Sequence, residues 1–183
     1  MKELSLNILD IAENSVKAKA DLVEITLTET DEELIIDITD NGTGMTEEVR
    51  RSVIDPFYTT RTTRKVGLGI PLFKFAAEQT GGDISISSRH INDFPEDHGT
   101  KVVARFLKGH LDFTPLGDVI STVTTLIQGH HDIDFIYSHK NKSAEVTLDT
   151  RELRAVLEDI PLDSYEILAW IKDNLEEQYS RFQ

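Results

Sequence analysis

The chain has 183 residues, of which 39% are hydrophobic, and a formal net charge of −14. This length suits one substantial domain or two small ones, and the hydrophobic content is sufficient for a buried core. The acidity is even, because residues 1–107 carry 12 basic and 19 acidic residues and residues 108–183 carry 7 and 14. Nucleic acids and anionic membranes require clustered Lys and Arg, so neither is expected as a main partner.

The expected compartment follows from what the sequence lacks. It contains no cysteine, which excludes disulfides and thiolate metal sites. No apolar run approaches the roughly 20 residues that span a bilayer, and residues 1–7 lack the hydrophobic stretch of a signal peptide. We therefore expect a cytoplasmic protein.

Residues 4–107 are predicted to form helices packed on an antiparallel-rich sheet. Apolar residues at 3.6-residue spacing indicate a helix over 4–20, and alternating ones indicate a hairpin of strands over 22–29 and 34–39. Thr46 is predicted to cap a short helix, and the aperiodic residues 55–66 are predicted to form a loop. The remaining predicted elements are a helix over 70–79 and strands over 83–88 and 101–106.

After Phe106, Gly109 and Pro115 mark a linker, so we expect one domain over 1–107 and a second module over 108–183. The predicted order of the module is α-β-β-α, in which the last helical part comprises a short helix and a longer final one. Its final helix, which contains Tyr165 and Trp170, is capped by Asp163 or Ser164. Ordinary core packing is expected of this helix, and the alternative is recruitment of a partner. The predicted elements before it are a helix over 117–128, strands over 133–138 and 144–148, and a short helix over 151–158.

The segment Asp40-Asn41-Gly42-Thr43-Gly44-Met45 allows two interpretations. Asn-Gly after alternating apolar residues is a hairpin signal, but the residues that follow resemble a helix rather than a second strand. A glycine-flanked turn at a strand end would instead let the backbone approach a planar ligand. Asp40 could then accept a hydrogen bond from an adenine amino group.

The segment Gly67-Leu68-Gly69 precedes a predicted helix, whose free amides and positive dipole end could face phosphates. The alternative is a plain loop-to-helix junction preceded by a solvated loop. The phosphate interpretation gains support from the cations and hydroxyls upstream, which are Thr59, Thr60, Arg61, Thr62, Thr63, Arg64 and Lys65.

The first helix carries polar residues on one side. Asn14 could offer an amide oxygen to Mg²⁺, and Asp10, one turn earlier, could orient or deprotonate a water near a γ-phosphate. Lys17 could reach a phosphate, and Thr100 could add a hydroxyl contact. The alternative is a solvated polar face.

In this order the four segments resemble the GHKL superfamily of gyrase, Hsp90, histidine-kinase and MutL-type ATPases, over about residues 4–107. The segments are Asp10–Ser15, Asp40–Met45, Asp55–Arg61 and Gly67–Ile70. The resemblance implies an α+β fold, the two-layer α/β sandwich known as the Bergerat fold, with a mixed, antiparallel-rich sheet. It also implies an Mg-ATP site with Asn14 on the metal, Asp40 on adenine and residues 55–69 as a lid. The further nucleotide contacts it implies are Gly42, Gly44, Met45, Phe57, Tyr58, Thr59, Thr60, Arg61, Lys65, Gly67, Leu68 and Gly69.

The lid, the second glycine segment and Lys17 look like those of the histidine-kinase branch. Asp10 departs from both branches, since hydrolytic members carry a catalytic glutamate there and kinases usually carry Asn, Gln or His. No histidine lies in a helix with the acidic neighbour expected of a phosphoacceptor, and no acceptor hairpin is found.

We therefore expect an Mg-ATP-binding ATPase or kinase module that acts on or with a partner protein in signalling. One alternative is a serine/threonine kinase of the anti-sigma type with Asp10 as base. Another is a non-catalytic switch that senses ATP against ADP. The oligomeric state stays open.

Overall fold

The structure is a computed structural model that describes residues 3–54 and 68–182. Most of the predicted lid therefore lies outside the described residues. The helices are α1 (Leu4–Lys17), α2 (Glu47–Ile54), α3 (Gly69–Gln79), α4 (Val119–Gly129), α5 (Thr150–Leu157) and α6 (Tyr165–Ser180). The strands are β1 (Leu22–Glu29), β2 (Glu33–Asp40), β3 (Asp83–Arg89), β4 (Gly99–Leu107), β5 (Asp134–Lys140) and β6 (Glu145–Asp149).

The six strands form one mixed sheet in the order β3-β4-β2-β1-β5-β6. All neighbouring pairs are antiparallel except β1 and β5, which run parallel. Alternation along each strand places one set of side chains on a buried face, as the Ile25–Ile38 pair illustrates. The two-layer α/β sandwich predicted from the resemblance is confirmed.

Four helices lie side by side over the buried face, in the order α3, α1, α4 and α6. Helix α1 turns Leu4, Ile8 and Ile11 toward the sheet, in accordance with its predicted apolar face. It ends at Lys17, earlier than predicted, because Lys19 adopts a left-handed conformation with φ of 59°. Among the described helices, none is both long and apolar enough to cross a membrane.

Residues 108–182 extend the same sheet and also hold the beginning of α1. The first amides of a helix have no partner within the helix. In α1 the amides of Leu4 and Ser5 donate to the carbonyl oxygens of Pro115 and Leu116 at 2.9 and 2.8 Å. At the other end of α1, His130 Nε2 lies 2.8 Å from Glu13 Oε1. The C-terminal residues therefore fix α1 at two points.

Helix α6 packs through Ile171 and Leu175, which are fully buried. Core packing was expected of this helix as a whole, but its aromatic residues Tyr165 and Trp170 are 82% and 51% exposed. The reason is their position on the helix, since neither shares the stripe that faces β6 and α4.

A buried chain of hydrogen bonds joins α6 to the sheet. His139 on β5 is 2% exposed, with Nδ1 2.8 Å from Tyr179 Oη and Nε2 3.2 Å from Glu29 Oε2. Tyr179 Oη also lies 2.5 Å from Tyr137 Oη, and Lys108 Nζ lies 2.5 Å from Glu29 Oε1. A neutral His139 satisfies every group, because it donates to Glu29 and accepts from Tyr179, which accepts from Tyr137.

Burial favours the neutral form of the histidine and of both tyrosines in this hydrogen-bond network. It lowers the pKa of His139, against the opposing effect of Glu29, and raises the pKa of Tyr179 to about 12. Burial also raises the pKa of Tyr137. The neutral form of all three side chains is therefore the native one near neutral pH.

Candidate nucleotide-binding site

Three polar side chains lie in one row across the ends of three neighbouring strands. Asp40 on β2 is paired with Thr100 on β4, which is paired with Ser88 on β3. Residues directly opposite in a sheet point to the same face. Ile38 and Ile86 lie two residues before Asp40 and Ser88, and Val102 lies two residues after Thr100. All three are buried under the helices. The row therefore lies at the edge of the buried face, and its three side chains are half-buried.

The carboxylate of Asp40 is held by three donors. Ser15 Oγ on α1 donates to Oδ2 at 2.7 Å, while the amides of Gly42 and Thr100 donate to Oδ1 at 2.9 and 3.3 Å. These bonds fix the plane of the carboxylate. Because each carboxylate oxygen has two lone pairs, Oδ2 can accept a further hydrogen bond from a ligand.

The glycine turn after β2, residues 42–45, is packed tightly between α1 and β3. A Cβ on Gly42 would lie 2.8 Å from the carbonyl oxygen of Ala18, and one on Gly44 would lie 2.0 Å from that of Arg89. Gly44 also has a φ of 67°, a conformation that favours glycine. We expected these glycines to let the backbone approach a ligand. In the structure they let the backbone of the turn approach that of Ala18 and Arg89.

Asp10, Asn14 and Gly69 meet where the beginning of α3 crosses α1. A Cβ on Gly69 would lie 3.2 Å from Asp10 Cβ and 3.7 Å from Asn14 Nδ2. Asp10 is exposed and Asn14 is half-buried. Leu68, the N-cap residue of α3, provides no side-chain hydrogen bond to the first amides of the helix. The predicted phosphate cradle thus begins beside the predicted metal ligand.

Asn14 could serve as a ligand to a magnesium ion that is bound together with phosphates. Within residues 3–54 and 68–182, no group of three or more His, Cys, Asp or Glu side chains could hold a metal ion by itself. Mg²⁺ usually keeps several waters and takes only one or two protein oxygens beside those of phosphates. The amide oxygen of Asn14 is suited to that role.

The other predicted contacts divide into two groups. Lys17 ends α1 with an exposed side chain, Leu68 is exposed beside Gly69, and Met45 is half-buried in the glycine turn. Seven fall outside the described residues and stay predictions, namely Phe57, Tyr58, Thr59, Thr60, Arg61, Lys65 and Gly67.

Three residues of this region were missed by the sequence reasoning. Ser15 holds Asp40, Ser88 contacts Thr100, and His98 Nδ1 lies 2.6 Å from the carbonyl oxygen of Gly42. Ser88 could have been found, since it follows Ile86 by two residues on the buried face of β3. Asn7, one turn before Asp10 on α1, is 1% exposed and so does not share the accessible side of the helix.

A mixed sheet covered on one face by helices, with a carboxylate and a glycine turn at one end of that face, is the α/β sandwich of GHKL-type ATPases. Residues 2–110 match the family described as histidine kinase-, DNA gyrase B- and HSP90-like ATPase. The chain belongs to this family, and the resemblance stated from the sequence is confirmed.

The curated relatives include a nitrogen regulation protein, a histidine-protein kinase and a sensor protein. The chain is 41% identical over 68 residues to the nitrogen regulation protein NtrY of Azorhizobium caulinodans, covering 37% of this chain and 8% of NtrY. It is 32% identical over 88 residues to the signal transduction histidine-protein kinase AtoS of Escherichia coli, covering 48% and 14%. It is 37% identical over 93 residues to the sensor protein SrrB of Staphylococcus aureus, covering 48% and 16%. The chain therefore matches only a small share of each relative.

A solved structure with the same fold is the Aquifex aeolicus MutL ATPase domain complexed with ADP. It superposes with a TM-score of 0.56 at 16% identity, over 86% of this chain and 70% of that chain. The N-terminal domain of a DNA repair protein gives a TM-score of 0.56 at 18% identity, over 81% and 53%. Because 86% of 183 residues exceeds the span of residues 2–110, the shared fold includes part of residues 108–183.

Proposed function

We propose that the chain is an Mg-ATP-binding ATPase or kinase module that acts on or with a partner protein in signalling. The observation that carries the proposal is the carboxylate of Asp40, which Ser15, Gly42 and Thr100 hold at the end of the covered face. An acceptor fixed in this way suits the amino group of adenine. Membership in the ATPase family and the likeness to signalling kinases support the same function.

The phosphates and the metal would lie where α1 and α3 meet. Mg²⁺ would neutralise phosphate charge when bound, and Asn14 would hold it through its amide oxygen. The amide of Gly69, at the beginning of α3, would face a phosphate oxygen at the positive end of the helix dipole. Lys17 and Lys65 would add counter-charge.

Asp10 is the proposed catalytic base or water-orienting residue. Its carboxylate is on the exposed side of α1, beside the predicted phosphate cradle. From there it would accept a proton from water during hydrolysis, or from a hydroxyl of a partner protein during serine or threonine phosphorylation.

A non-catalytic switch that senses ATP against ADP is the second candidate. It is favoured by the contacts that tie α1, the helix carrying Asp10 and Asn14, to Pro115, Leu116 and His130. A shift of α1 on nucleotide binding would then change bonds to the C-terminal residues, which a partner could recognise.

Calorimetric titration with ATP, with and without Mg²⁺, tests the proposed function. Asn14→Ala should abolish Mg-dependent ATP binding, whereas Asn92→Ala, in an exposed loop, should leave it unchanged. Retained Mg-dependent binding by Asn14→Ala would overturn the assignment.

Turnover separates the two candidates. Asp10→Asn should bind ATP and lose hydrolysis or phosphotransfer by at least about 100-fold, whereas Asp93→Asn, on an exposed loop, should match the wild type. A wild-type protein that binds ATP without hydrolysis or transfer to any partner would favour the switch.

A further inference from the structure

Ser88 connects three parts of the proposed nucleotide site through one hydroxyl. Its Oγ accepts a hydrogen bond from the amide of Met45 at 2.7 Å. The same oxygen lies 3.0 Å from the carbonyl oxygen of Gly99 and 2.9 Å from Thr100 Oγ1. Ser88 thus joins the glycine turn to the end of β3 and the beginning of β4.

The hydroxyl of Ser88 has one proton and two places to donate it. If it donates to the carbonyl of Gly99, Thr100 can satisfy its own proton by donating to Ser88. If it donates to Thr100 Oγ1 instead, the proton of Thr100 becomes free for a ligand. Met45 remains bonded to Ser88 in both arrangements.

The second arrangement places a hydroxyl donor in the same row as the carboxylate acceptor of Asp40. Adenine offers an amino donor next to a ring-nitrogen acceptor, and this pair complements such a site. Hypoxanthine and guanine offer a carbonyl oxygen next to a ring N–H, which reverses both roles. A site built to bond one pattern rejects the other, since buried polar groups would be left unpaired.

We propose that Ser88 is a positioning residue for adenine selectivity, and that it acts by directing the Thr100 hydroxyl. This inference rests on the proposed ATP binding and deepens it. Ser88 needs no contact with the nucleotide for this role.

The test compares ATP with inosine triphosphate, which differs at the position that Asp40 would bond. Dissociation constants for both are measured by calorimetry on the full chain, together with thermal unfolding without nucleotide. Ser88→Ala should weaken ATP binding about tenfold and inosine triphosphate binding less than about twofold, so that selectivity falls. The control Ser87→Ala, exposed on the opposite face of β3, should leave both constants unchanged.

Two further variants keep the test valid if Ser88→Ala unfolds. Ser88→Thr retains the hydroxyl and should retain selectivity, whereas Thr100→Val should lose it. Adding Ser88→Ala to Thr100→Val should reduce selectivity no further, because both changes break the same link.

Several outcomes would overturn the inference. These are unchanged ATP affinity in Ser88→Ala, equal weakening of both nucleotides, or lost selectivity in Ser88→Thr. A wild-type protein that binds both nucleotides equally would overturn the adenine assignment itself. Wild-type selectivity that persists in Ser88→Ala would overturn the role of Ser88 alone.

Discussion

Replacing Gly44 with alanine should both destabilise the fold and weaken nucleotide binding. Gly44 adopts a φ of 67°, in which an L-residue brings its Cβ too close to neighbouring backbone. The added Cβ would lie 2.0 Å from the carbonyl oxygen of Arg89, and no flexible side chain is available to move away. The backbone of the turn or of β3 must therefore shift.

The magnitude follows from the bonds that such a shift would strain. The left-handed conformation costs alanine about 1 kcal/mol relative to glycine. The turn is held to β3 and to the loop after it by two hydrogen bonds, from Met45 N to Ser88 Oγ at 2.7 Å and from Ile91 N to Thr43 O at 2.9 Å. Loss of each costs about 1 kcal/mol. We expect the free energy of unfolding to fall by about 2–4 kcal/mol in total.

Urea denaturation with and without ATP measures both effects. Gly44→Ala should lower the midpoint and reduce ATP affinity at least about tenfold, because the turn also carries the amide that holds Asp40. Gly109→Ala is the matched control, since a Cβ there would have no atom within 4 Å; its unfolding free energy should stay within about 0.5 kcal/mol of wild type. A Gly44→Ala protein with the wild-type midpoint would refute the steric reasoning.

Two further predictions concern the C-terminal residues. Burial lowers the pKa of His139 in the folded protein. The contribution of His139 to stability is therefore fully present above its unfolded pKa of about 6.5. This contribution is lost as the pH falls from that value toward the folded pKa, by at most about 1.4 kcal/mol per pH unit. Denaturation midpoints between about pH 5 and pH 8 should show this slope in wild type but not in His139→Gln; equal slopes would contradict the assignment. Thr150→Val should lower the free energy of unfolding by about 1–3 kcal/mol, because fully buried Thr150 Oγ1 accepts from Phe135 N at 2.8 Å and no water can replace it. Thr147→Val, whose side chain is exposed, should have no such effect in the same assay, and equal midpoints for the two variants would exclude a special role for Thr150.

Much of the first half of the fold could be predicted because its patterns are local. Strict alternation gave strands β1 and β2, whose register pairs Ile25 with Ile38. The parallel pairing of β5 with β1 could not be predicted in this way, since the residues of β5 carry no signal for the neighbour they select. The buried face of β5 only requires that some element cover it.

The candidate site shows the same difference between what local sequence patterns predict and what depends on contacts between distant segments. Asp10 and Asn14 were predicted as site residues from the first helix and Gly69 from the later glycine segment, and the structure brings the three together where α3 crosses α1. Their roles toward a ligand stay predictions. Ser15 and Ser88 were missed because their partners, Asp40 and Met45, are distant in sequence and meet only through the sheet and α1.

Helix α1 is the element on which the nucleotide site and the C-terminal residues both depend. Its exposed side carries Asp10, while its first amides depend on the carbonyl oxygens of residues 115–116 and Glu13 bonds to His130. Packed helices move between discrete positions rather than deforming continuously. A displacement of α1 at the proposed phosphate site must therefore strain the bonds at its other contacts. For this reason coupling through α1 is compatible with catalysis as well as with the non-catalytic switch, and the turnover of the wild-type protein is the measurement that separates the two candidates.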